Sequence, residues 1–183
     1  GNLKVSVLEE GVHSGDASGI VPSSFRILRQ LLSRLEDEVT GKILVEDLFV
    51  EIPEQRLQQA KSCSQVLDTA VYDKFPLVDG MQPMHTDLTE LVLNRTWRPA
   101  LSITGVDGMP NLANAGNVLR PHTAVKLSLR LPPTLDPKKA TEILQRVLTE
   151  NPPYRAKVSF EVEKASTGWN APLLAPWLEN SID

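Results

Sequence analysis

Val125-Lys126-Leu127-Ser128-Leu129-Arg130-Leu131-Pro132-Pro133 is the stretch that decides the fold. Every second residue is apolar and the residues between are Lys, Ser and Arg, the period-2 pattern of a strand with one buried and one wet face. The proline pair ends it, because proline cannot donate to a strand ladder. Upstream, the same strand is expected to reach back to Val118.

The elements on either side follow from the same reasoning. Ahead of this strand, Leu101 and Ile103 alternate with Ser102 and Thr104 in a second strand ending at Gly105. The loop from Val106 to Gly116 carries Asp107-Gly108, Pro110 and two asparagines, all turn formers. Behind it, Asp136-Pro137 opens a helix with Ala140, Ile143, Leu144, Val147 and Leu148 on one side, stopping before Asn151-Pro152-Pro153. Val158, Phe160 and Val162 then alternate with polar residues in a last strand. At the chain's start Leu3, Val5 and Val7 form a first strand. A glycine-rich turn, Gly11 to Pro22, follows it.

Pro22 and Ser23 supply helix-start chemistry, Ser23 as a side-chain cap. The apolar spacing of Phe25, Ile27, Leu28, Leu31, Leu32 and Leu35 predicts an amphipathic helix running to Glu36-Asp37-Glu38 and stopped by Gly41. Acidic residues at such an end run against the helix dipole. Residues 42–97 break the pattern and read as an insertion. In it Ile52-Pro53-Glu54 opens a helix with Leu57, Ala60, Val66, Leu67 and Val71 inward, and Asp87 to Arg95 forms a short one with Leu88, Leu91 and Val92 inward.

The order is β-α-β-β-α-β, that of an α+β ferredoxin-like sandwich with two helices on one face of an antiparallel sheet and a mostly helical insertion after the first helix. A chain of 183 residues suits one domain. The net charge of −4 argues against nucleic acid or an anionic membrane as the main partner. An RNA-binding sheet would need paired aromatics on its open face, where these strands offer Ser, Lys, Glu and Arg. Cys63 stands alone, which excludes an internal disulfide and a cysteine zinc site. With no signal peptide visible and no run near the ~20 apolar residues a bilayer requires, a cytoplasmic location is expected. The chain enters a strand pattern directly at Gly1 and reads as a piece of a longer protein.

The inventory of reactive groups is short. His13, His85 and His122 are far apart, and no HExxH, phosphate loop or nucleophile elbow occurs. Asp16 and Asp107 lie in turns, where they suit local caps. His85 reads as a surface residue at a helix entry, His122 as structural, and His13 either as a surface turn residue or as a side chain aimed from a rigid turn.

Three strings in order carry a resemblance. They are Val12-His13-Ser14-Gly15, then Arg98-Pro99-Ala100-Leu101-Ser102-Ile103-Thr104-Gly105-Val106-Asp107-Gly108, then Asn117-Val118-Leu119-Arg120-Pro121 through Leu127-Ser128-Leu129-Arg130-Leu131-Pro132. Together they resemble the lid, or dimerisation, domain of the zinc-dependent metallopeptidases that include carnosinase-type dipeptidases, aminoacylases, acetylornithine deacetylase and glutamate carboxypeptidases. The long insertion is closer to the dipeptidase branch. The resemblance implies a domain at residues 1–165 and a segment, 166–183, returning to a catalytic domain absent from this chain. That domain would hold two zinc ions and a general-base glutamate, and this chain would hold no cofactor and be inactive alone. His13 would help hold the oxyanion of the tetrahedral intermediate, across a homodimer in the partner's active site. Asn117 would contact the substrate, a dipeptide or N-acyl amino acid, and Arg130 would bind its terminal carboxylate. These three are expected to converge at one end of the sheet. The strand after the loop, or the first helix, would pair with the second copy. Arg130 also reads as an ordinary outward strand residue, and the whole chain as a free-standing ferredoxin-like binding module for small molecules or proteins.

Overall fold

The computed structural model describes residues 1–172. Strands β1 (Asn2–Ser6), β3 (Ala100–Asp107), β5 (His122–Arg130) and β6 (Lys157–Glu161) form one sheet in the order β3-β5-β1-β6, every pair antiparallel. Helices α2 (Ser24–Leu32) and α6 (Pro137–Thr149) bury their apolar stripes on one face. Leu3, Val5, Val125, Leu127 and Phe160 from the sheet meet Ile27, Leu28, Leu31, Leu35 and Leu148 in the main core. This is the architecture expected from the alternation of β1 and β5.

Several boundaries differ from the sequence expectation, each for a physical reason. Helix α2 ends at Leu32 rather than Glu38. Leu35 stays fully buried in the turn beyond it, and Glu36 bridges to Ile43 in an extended pair. The acidic run is therefore outside the helix and never opposes its dipole, while Arg29 occupies the last turn. Ser23 sits at the N-cap position but its side chain makes no capping bond. The expected strand from Val118 to Leu131 is two strands, β4 (Val118–Leu119) and β5, separated at Arg120-Pro121. The last strand stops at Glu161, leaving Val162 exposed. Arg34 lies past α2, where its guanidinium donates to the carbonyls of Val147, Glu150 and Asn151 and so satisfies the C-terminal end of α6.

The insertion holds α3 (Glu54–Leu67), α4 (Ala70–Asp73) and α5 (Leu88–Thr96) around a small core of Ala60, Val71, Val92, Leu93 and Trp97. Val66, expected inward, is 83% exposed. Helix α5 is tied to the segment that leads into β3 by a fork. Arg98 donates from Nη1 to Glu90 Oε2 at 2.5 Å and from Nη2 to Oε1 at 3.2 Å. These bonds hold the Glu90 carboxyl below its ordinary value of 4.5. A carboxylate with a depressed folded-state pKa stabilises the fold above its unfolded pKa and loses that contribution as pH falls through the folded one. The stability difference between wild type and Glu90→Gln is accordingly present at neutral pH and shrinks as the solution is acidified. Urea unfolding at about pH 7 and about pH 3 checks this, and an equal difference at both would contradict it.

Candidate functional site

The turn Gly11 to Pro22 folds into a short strand, β2 (Val12–His13), and a single helical turn, α1 (Ser14–Ala17). Strand β2 pairs with β4, His13 opposite Val118 and Val12 opposite Leu119. The Ser14 N–H donates to the Asn117 carbonyl at 2.9 Å. His13 and Asn117, 104 positions apart in the sequence, are thus brought side by side. Both are exposed.

The imidazole of His13 is held by backbone. As the N-cap of α1 it accepts at Nδ1 from the Gly15 N–H, at 3.1 Å. A neutral imidazole has one donor and one acceptor nitrogen, so a ring that accepts at Nδ1 carries its proton on Nε2. The outward face of this turn is therefore an N–H donor.

The β2–β4 pair is anchored by groups the sequence did not single out. Ser24 Oγ and Thr123 Oγ1, both buried, bond at 2.8 Å and join the start of α2 to β5. Arg120 donates from Nε to the Gly108 carbonyl at 2.8 Å, closing the loop between β3 and β4. Gly108 has φ +82°, and a Cβ there would lie 2.4 Å from the His122 carbonyl oxygen. Val7 donates to the Pro121 carbonyl, fixing the junction against the end of β1. The available signal was Thr123, a hydroxyl in the inward series with Val125 and Leu127. Such a residue calls for a buried partner.

Arg130 is elsewhere. It ends β5, opposite Ala100, and is exposed. The eight steps from His122 to Arg130 span roughly 26 Å of strand, and the His13–Asn117 pair sits at the His122 end. The expected convergence of His13, Asn117 and Arg130 does not occur within one chain. Arg130 instead borders an open cleft of about 560 Å³ between β5 and residues 163–168.

The other histidines have local partners. His85 Nδ1 accepts from the Asp87 N–H at 2.9 Å, and Asp87 in turn caps α5. The bonds from the Thr89 and Glu90 N–H groups hold the Asp87 carboxyl below its usual range. His122 Nε2 lies 3.9 Å from Asp107 Oδ2. Among the described residues no group of three His, Cys, Asp or Glu side chains is placed to hold a metal ion. The donors of a zinc site are not assembled by these residues. No helix among them is long and apolar enough to cross a membrane.

Strand β5, the longer part of the strand expected after the loop, lies between β3 and β1, so both its edges are already paired within this chain. The open edge on that side is β3. It carries a bulge at Thr104, between Ile103 opposite Leu127 and Gly105 opposite Lys126. The extra residue shifts the alternation, so Ile103 and Val106 share the helix-bearing face. They are 46% and 59% exposed there.

A four-stranded antiparallel sheet of this order, two helices on one face, a helical insertion after the first helix and a His-bearing strand pair beside the sheet define a class of α+β sandwich domain. The sequence profile of the M20 family's peptidase dimerisation domain matches residues 1–156, and the chain belongs to that family. It is 29% identical over 136 residues to the Cys-Gly metallodipeptidase DUG1 of Saccharomyces cerevisiae, covering 74% of this chain and 28% of that protein. It is also 29% identical over 172 residues to the cysteinylglycine-S-conjugate dipeptidase of Corynebacterium striatum, covering 93% and 34%. The fold is shared with the crystal structure of human carnosine dipeptidase 1, at TM-score 0.67 and 22% identity, covering 94% of this chain and 37% of that one. The chain spans about a third of the length of the curated relatives it matches.

Proposed function

We propose that this chain is the lid and dimerisation domain of a cytoplasmic, zinc-dependent dipeptidase-like metallohydrolase. Residues 1–165 form the lid and residues 166–183 the connection to a catalytic domain; of that connection, residues 173–183 lie outside the described part. The two zinc ions and the general base belong to the catalytic domain, and the lid alone hydrolyses nothing. Its substrates are dipeptides or N-acyl amino acids, the former in keeping with the dipeptidases it resembles.

The observation that carries this reading is the backbone-held imidazole at the His13–Asn117 turn. When a carbonyl is attacked, negative charge develops on its oxygen, and a fixed N–H donor stabilises that charge without reorganising. His13 Nε2–H is such a donor, and Asn117 adds an amide to the same substrate. A guanidinium fork suits a terminal carboxylate, which is the role of Arg130. With Arg130 at the far end of β5, one chain cannot bring all three to one substrate. Two copies related by a two-fold axis can, His13 and Asn117 from one facing Arg130 from the other.

The β3 edge is the surface that joins the copies. An eight-residue edge strand with unpaired backbone and uncovered Ile103 and Val106 is a template for strand pairing. In the full-length protein, Ile103→Lys combined with Val106→Lys yields monomers by sedimentation velocity. A variant that remains a dimer would place the interface elsewhere.

A further inference from the structure

We propose that Gly15 is a positioning residue whose missing side chain selects the protonated nitrogen of His13; the proposal rests on the reading of His13 as an oxyanion donor. Gly15 lies inside α1, where glycine is less stable than alanine. Its backbone does not call for glycine either. The glycines at positive φ are Gly19, Gly41, Gly80 and Gly108, and Gly15 is not among them. What a side chain would meet at this position is the imidazole. A Cβ on Gly15 would lie 2.8 Å from His13 Cε1 and 2.9 Å from Nδ1. Cβ atoms essentially never sit that close to another heavy atom, so something must shift, and the obstacle is the end of a side chain rather than backbone.

The consequence is specific. With glycine, the ring lies against the first turn of α1 and Nδ1 takes the Gly15 N–H at 3.1 Å. That bond occupies the Nδ1 lone pair, so the proton is on Nε2 and the donor faces outward. With alanine the ring must rotate away, Nδ1 loses its donor, and both tautomers become accessible. The helical turn itself persists, because alanine favours it.

The test is nuclear magnetic resonance on the 183-residue chain. In the wild type, the expected result is a through-hydrogen-bond coupling between the Gly15 amide nitrogen and His13 Nδ1, with ring nitrogen shifts of the Nε2–H form. In Gly15→Ala the coupling disappears and the two ring nitrogen shifts move toward each other, while the melting temperature is unchanged or higher. A wild-type ring protonated at Nδ1, or a Gly15→Ala ring with unchanged shifts, would overturn the proposal. Kinetics of the full-length enzyme separate the two claims. Gly15→Ala is expected to lower kcat by about tenfold or more with KM little changed, since a displaced catalytic group costs rate. If the ring moves in Gly15→Ala but neither that variant nor His13→Ala changes kcat, Gly15 still positions the ring and the catalytic role of His13 is what fails.

Discussion

Replacing His13 by alanine in the full-length enzyme lowers kcat by roughly a hundredfold or more, the usual loss on removing one oxyanion donor. The fall is in kcat rather than KM, because the donor meets charge that exists only as the carbonyl is attacked. The fold does not suffer. His13 is exposed, and among the described residues its side chain makes one hydrogen bond, accepting from the Gly15 N–H within a four-residue helical turn. Its segment is held instead by β2–β4 pairing and by the Ser14–Asn117 backbone bond, neither of which uses the imidazole. Steady-state kinetics beside a melting curve read both statements. An unchanged kcat would remove His13 from the active site.

How far the chain could be read from its residues depended on whether side-chain spacing alone set the structure. Strands β1 and β5 were legible because Leu3 and Val5, then Val125 and Leu127, face the core in strict alternation. Helix α6 was legible from its cap, Asp136, whose carboxylate accepts from the Lys138 N–H, and from Pro137 in its first turn. The end of α2 was not. Leu35 continues the helical spacing and is fully buried, yet it reaches the core from a turn. The bulge at Thr104 was hidden for a similar reason: Ser102 and Thr104 look like one unbroken outward series, and only the register against β5 reveals the extra residue.

For the candidate site, the sequence pointed to the His-Ser-Gly turn but not to its hydrogen bonds, which depend on backbone geometry. The resemblance also implied that Asn117 and Arg130, 13 positions apart, meet at one end of the sheet. On an extended strand such a spacing means the reverse, since each residue adds about 3.3 Å.

That separation is the centre of the account: the active site takes parts from two copies. The decisive measurement mixes two variants of the full-length enzyme, His13→Ala and Arg130→Ala, each nearly inactive as a homodimer. In a mixed dimer, one site receives an intact His13 from one copy and an intact Arg130 from the other, while the second site receives neither. Equal mixing with subunit exchange makes half the dimers mixed, so activity returns to about a quarter of the wild-type level. Recovery of that size is the result predicted. If the mixture stays as inactive as its parents while mass spectrometry shows mixed dimers present, His13 and Arg130 serve a site within one chain, and the account is contradicted.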